Sequence, residues 1–132
     1  MFIANNIIPI FNMKVDNKHF EVLDKRTTEL NKHFFTHERF FDKKAYYDRL
    51  DGLRSYLNGY DYELGWFIDH NDLEKSKEVC SDYISDCNDM IQRAGVPSNA
   101  MALGWSTPDV HLDTLLHVIK WEFEKILEEL NK

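Results

Sequence analysis

The sequence predicts a mainly α-helical protein, a four-helix bundle-like single domain with a short extended amino-terminal arm and a small two-stranded pairing as minor α+β character. Three observations predict it. Gly and Pro are scarce, five and three in 132 residues, unlike the turn-dense chains of sandwiches and barrels. Apolar residues recur at three- and four-residue intervals over long stretches, and helix-ending and helix-starting residues stand between those stretches. Hydrophobic residues make up 43% of the chain, with nine Phe, six Tyr and three Trp. That is enough core for one domain over residues 1–132.

Residues 1–15 read as the extended arm, because Pro9 in IIPIFNMK cannot donate to a sheet ladder and suits only an edge. From residue 16 to about 38, Phe20, Leu23, Thr27, Leu30 and Phe34 make one helical stripe. A second stripe over about 42–58 carries Tyr47, Leu50, Leu53 and Leu57 and stops at Asn58-Gly59. Between Gly59 and Asp69, Tyr62, Leu64, Trp66 and Ile68 alternate with Glu63, Gly65, Phe67 and Asp69. Period two predicts a short strand with one apolar face, free to pair with the arm. Asn71-Asp-Leu-Glu74 resembles a helix cap with a carboxylate three residues on. It opens a helix over 71–94 that ends at Gly95, with Pro97 behind it. The last helix, 107–131, opens at Thr107-Pro108-Asp109. Its core stripe is Leu112, Leu115, Leu116, Ile119, Phe123, Ile126 and Leu130.

Composition narrows the function classes. A formal net charge of −7 and a pI near 5.3 argue against direct nucleic-acid binding, whose affinity comes from clustered Lys and Arg releasing counterions. A basic protein is the natural partner. Cys80 and Cys87 alone make no disulfide framework. On one helix they lie roughly 10 Å apart along the axis, beyond the ~7 Å bridging limit, so they read as reduced core thiols in a cytoplasmic protein. The amino terminus lacks a basic region and a cleavage site, and no apolar run reaches the ~18 residues that span a bilayer. The expectation is a soluble protein without membrane contact.

Two constellations carry chemistry. In LEKSKEVCSDYISDCNDMIQ, at ~100° per residue, Glu74, Glu78, Asp82, Asp86 and Asp89 share about a third of the helix circumference, opposite Leu73, Cys80, Ile84, Cys87 and Ile91. Like charges four apart cost a helix roughly 0.2–0.5 kcal/mol per pair, so burial of the apolar side must hold it. Successive carboxylates rise about 6 Å, comparable with the phosphate spacing of a nucleic-acid strand. Such a ridge would steer a basic partner electrostatically. The bland alternative is a solvated face of an acidic protein, relieved by Lys75 and Arg93.

The second constellation is Glu29-x3-His33-x3-His37, which Asp113-x3-His117 would complete as a metal site across the bundle, with His111 nearby. The apolar stripes of both helices occupy other positions, and no CxxC or HExxH pattern strengthens it. There is no phosphate loop or GxSxG either, so no cofactor and no enzymatic activity are expected. Adjacent aromatic pairs, Phe34-Phe35, Phe40-Phe41 and Tyr46-Tyr47, leave aromatic surface for a partner or a homodimer. Finally, Leu-Gly-Trp occurs twice, at 64–66 and 103–105. Each reads as a connector whose glycine turns the chain and whose tryptophan packs under the following helix.

The expected function is therefore non-enzymatic: a small acidic inhibitor or immunity-type factor that occupies a basic, nucleic-acid-binding type of surface on another protein. The alternatives are a metal-binding helical bundle using His33, His37, Asp113 and His117, or a helical adaptor or oligomerisation module.

Overall fold

The structure is a computed structural model that describes residues 15–37, 44–95, 99, 102–104 and 107–132, with side chains apart from those of 35–37, 44–49, 51 and 107–110. The chain is mainly helical, with five helices and no strand among the described residues: α1 (Asn17–His37), α2 (Lys44–Leu57), α3 (Tyr60–Asp69), α4 (Leu73–Ala94) and α5 (Thr107–Leu130). Residues 1–14 of the arm expected over 1–15 lie outside the described residues, as do Phe40 and Phe41 and the side chains of Phe35, Tyr46 and Tyr47.

The four expected helices are present with ends within two residues of those read from the pattern. The segment expected as a strand is instead α3. Its alternation comes from two different helix faces, since Tyr60, Leu64 and Ile68 are buried while Tyr62 and Trp66, equally aromatic or apolar in kind, are exposed. Residues four apart share a face, so both sets fit a helix as well as they fit a strand.

The turn between α3 and α4 explains a second difference. Asn71 does not cap α4. It takes the left-handed conformation, φ 57°, and closes α3: Asn71 N–H donates to Ile68 O and Asp72 N–H to Phe67 O, each at 3.0 Å, the two bonds of a Schellman ending. Asp72 then caps α4, its side chain accepting from Lys75 N at 3.1 Å. At the far end Gly95, φ 64°, closes α4 as expected.

α4 packs chiefly against α5 and also against α2 and α3, while α1 lies along α5 and touches α2. The α1 stripe buries Leu23, Thr27, Leu30 and Phe34, and every residue of the expected α5 stripe is buried. Asn31 and Asn58 exchange side-chain hydrogen bonds at 2.9 and 3.0 Å, and Arg54 donates to Asn31 Oδ1 at 2.8 Å, which ties α1 to the end of α2.

A row of rings runs through the interior. Phe20 of α1 stacks on Tyr60 of α3, with centroids 6.1 Å apart, and Tyr60 meets Phe123 of α5 edge-on at 6.0 Å. Phe123 stacks on Tyr83 of α4 at 5.3 Å, and Tyr83 stacks on Tyr56 of α2 at 4.9 Å. Both cysteines are buried, as expected. Cys80 Sγ donates to Phe123 O at 3.2 Å, and burial pushes its thiol up to about 12.

Because Phe123 is fully buried and touches two of these rings, Phe123→Ala should cost about 3–5 kcal/mol. Urea unfolding should show a midpoint shift of that size, well above the cost of truncating half-exposed Trp121 on the same helix.

Candidate functional site

Four members of the acidic ridge stand where the sequence places them. Glu74, Glu78, Asp82 and Asp89 are exposed along α4, and Lys75 bridges Glu78 at 3.1 Å. The fifth does not. Asp86 is 6% exposed, because the buried arc of α4 is made by Val79, Cys80, Tyr83, Cys87, Met90 and Ala94 and is rotated from the expected one. Asp86 lies three residues after Tyr83 and four before Met90, at the seam between the core arc and the acid. Leu73, expected in the core, is 38% exposed.

Asp86 Oδ2 is buried with no hydrogen-bond partner among the described residues. Burial pushes the carboxyl up to about 7, neighbouring Asp89 adds to the rise and Arg93 opposes it. Its neighbours form a second polar group across three helices. Tyr83 donates its hydroxyl to Glu63 Oε1 of α3 at 3.0 Å. Burial first, and then the charges of Glu63, Asp82 and Asp86, raise the pKa of the Tyr56 phenol, which is 44% exposed. Gly59 sits against this group, since a Cβ there would come within 3.3 Å of both Tyr83 Oη and Tyr56 O.

Of the four candidate metal ligands, the three with described side chains, His33, Asp113 and His117, are not gathered into a metal-holding group. His33 is buried on α1 with its ring 5.9 Å from that of His111. Asp113 and His117 form their own pair along α5, Oδ1 to Nε2 3.6 Å, and the side chain of His37 lies outside the described residues. Among the described residues no three His, Cys, Asp or Glu side chains are arranged to hold a metal ion.

A cluster that the sequence did not announce joins α1 to α5. The His19 ring lies between two carboxylates, Nδ1 against Glu122 Oε2 and Nε2 against Glu129 Oε2 at 2.9 Å. A carboxylate at each ring nitrogen favours the imidazolium, the form that donates from both. Burial alone would lower its pKa, and the two carboxylates outweigh burial and raise it. The bond from His19 in turn lowers the Glu129 carboxyl, which also accepts from Asp16 N at 3.2 Å. Glu122 is itself buried, with Lys125 Nζ 3.7 Å away.

The two Leu-Gly-Trp triplets occupy different structures. At 64–66 the triplet is helical, Leu64 is buried and Trp66 is 51% exposed, so the tryptophan does not pack under α4. At 103–104 it lies in a turn, with Leu103 61% exposed and Gly104 at φ 86°. Gly104 needs glycine for its backbone, whereas Gly65 does not. No helix among the described residues is long and apolar enough to cross a membrane. Comparison of the chain with protein-family models, curated proteins and solved structures found no match.

Two titrations follow from these groups. A folded-state His19 pKa above the unfolded 6.5 means that its stabilisation is complete below pH 6.5 and is lost as pH rises through the folded value. The stability gap between wild type and His19→Gln should therefore be on the order of 1 kcal/mol at pH 6 and close by pH 9. A gap of the same size at both pH values would mean that His19 is not charged in this contact.

Asp86 titrates with the same sign, but here it is the charged form, present at high pH, that is destabilised. Its folded value near 7 exceeds the unfolded ~3.9, so its contribution is most favourable below pH ~4 and is lost as pH rises to 7. Asp86→Asn should be more stable than wild type by on the order of 1–2 kcal/mol at pH 8 and lose that advantage near pH 4, as read by chemical unfolding at both values.

Proposed function

We propose that this chain is a non-enzymatic protein-binding protein whose α4 face, Glu74, Glu78, Asp82 and Asp89, occupies a basic surface on a partner, in the manner of a small acidic inhibitor or immunity-type factor. The observation that carries this reading is the division of α4. Its exposed side is a row of carboxylates in which Glu78 pairs with Lys75, while its other side supplies the centre of the core. Carboxylates four residues apart weaken a helix, and here they add no packing in return. A basic partner supplies the compensation, and at −7 the chain is drawn toward such a partner from a distance. Asp86 stands behind the face and is not one of its contact groups. In this reading the helices form one bundle-like domain that presents α4 as a rigid rod, and the partner's surface is of the kind that otherwise holds nucleic acid.

Glu74→Lys, Glu78→Lys and Asp82→Lys together test it. Affinity capture from native lysate on immobilised wild-type protein, with elution by a salt step and identification by mass spectrometry, should yield a basic partner that the triple variant fails to retain. The far-ultraviolet circular dichroism of the two proteins should match, because all three side chains are exposed. Equal retention of that partner by the triple variant would remove α4 as the contact.

A further inference from the structure

We infer that the outer face of α3, where Tyr62, Gly65 and Trp66 lie between Asp61 and Asp69, is a docking site for a Lys or Arg side chain of a basic protein partner. The inference rests on the basic-partner reading above, but its observations are different ones.

Tyr62 is 86% exposed and Trp66 51%. They are four residues apart on a ten-residue helix, so they share a face. Trp66 is held in place: His70 stacks on its ring at 3.8 Å, with Nδ1 2.7 Å from Trp66 O, and Phe67 meets it edge-on at 5.2 Å. Half of a fixed indole therefore remains open. Asp61 and Asp69 are exposed and flank this face, and α3 carries no Lys or Arg.

Gly65 completes the site. Glycine within a helix costs roughly 1 kcal/mol relative to alanine, and neither backbone nor packing requires it here. Its φ is not positive, and the nearest atom that an added Cβ would meet is Asp61 Oδ1 at 3.7 Å. What glycine leaves is bare backbone between Tyr62, Trp66, Asp61 and Asp69. That strip accommodates the methylene stem of a Lys or Arg whose charge rests on the indole face and between the two carboxylates.

Charge complementarity decides the occupant. A purely apolar partner would strip water from Asp61 and Asp69 without pairing them, which is costly. A cation gains from the ring quadrupole and the carboxylates together. Residues 69–75 are exposed without a break, so the face runs on through the α3–α4 turn to the start of the acidic side of α4. One basic segment can follow it from Trp66 to Glu74.

The test uses the full chain and fluorescence anisotropy with labelled oligo-arginine, oligo-lysine and Gly/Ser peptides. Wild type should bind the two cationic peptides and not the neutral one. Trp66→Leu keeps apolar area but removes the aromatic face and should weaken binding roughly fivefold, in line with an exposed cation–π contact. Gly65→Ala should raise the thermal midpoint and yet weaken binding about twofold or more, a combination that general loss of structure cannot produce. The α4 triple reversal separates the two readings. If it abolishes peptide binding while Trp66→Leu and Gly65→Ala bind like wild type, the α3 site is wrong and the α4 reading stands. If the α3 variants weaken binding and the reversal does not, the α3 site stands and the α4 reading falls. Absence of cationic-peptide binding by wild type overturns the α3 site outright.

Discussion

Phe123 stands between Tyr60 and Tyr83, and through them the row of rings reaches Phe20 and Tyr56, so one aromatic column contacts all five helices. Most of the local geometry depends on it. Tyr83 must bring its hydroxyl to the α2–α3 turn, which crowds any Cβ at Gly59 and obliges Glu63 to face inward and accept that proton. With Tyr60, Glu63, Leu64 and Ile68 committed to the interior or its edge, helical geometry turns Tyr62, Trp66 and Asp69 outward. The exposed aromatics of α3 are thus a consequence of the column, and they are not a failure of packing.

The column also separates what was legible in the sequence from what was not. α1 and α5 were legible because their stripes are built from Leu, Ile and Phe, residues whose burial needs no knowledge of neighbours. α4 was legible as a helix, and its exposed acids were legible as a face, but its core arc was not. Tyr83, Ser76 and Met90 hold that arc, while the Leu73, Ile84 and Ile91 that would be chosen by hydropathy sit at its edge or outside it. Once Tyr83 takes the centre, Asp86 one turn on is carried to the seam of the core. No pattern of apolar spacing reveals that, because the choice depends on the Phe123 and Tyr56 rings that Tyr83 stacks between. α3 was misread for a related reason: aromatic residues on its solvent face imitated the inward face of a strand.

The polar clusters were harder still. His19 and its carboxylates are separated by 103 and 110 residues, and neither Glu122 nor Glu129 differs in sequence from the other acids of α5. By contrast, the i, i+4 spacing of Asp113 and His117 was visible and brings the pair to 3.6 Å, yet short-range spacing says nothing about whether a second helix supplies the remaining ligands. The repeated Leu-Gly-Trp teaches the same lesson at smaller scale. One copy is held in a helix by Leu64 in the core, the other bends through a left-handed Gly104, so identical letters took opposite conformations under different tertiary constraints.

The carboxylates of the two candidate faces and of the interior consequently have different physics. Glu122, Glu63 and Asp86 are tied to the fold: each is withdrawn from water to a degree that makes its proton or its partner matter for stability, through His19, Tyr83 or, for Asp86, through the lack of a partner for Oδ2 among the described residues. Glu74, Glu78, Asp82, Asp89, Asp61 and Asp69 are exposed, and Glu78 pairs with Lys75 in the solvent-facing row. Interactions in water at that exposure contribute little to folding and are screened by salt. Their combined field remains, and it lies on α4 and on the aromatic side of α3. Glu21 and Asp24 of α1 and Glu124 and Glu128 of α5 are exposed as well, so what sets α4 and α3 apart is the row on the one and the aromatic neighbours on the other, and in the proposed function recognition and folding then rest on separate groups. A surface of that kind can change its affinity for a basic partner through substitution without first having to repair its core.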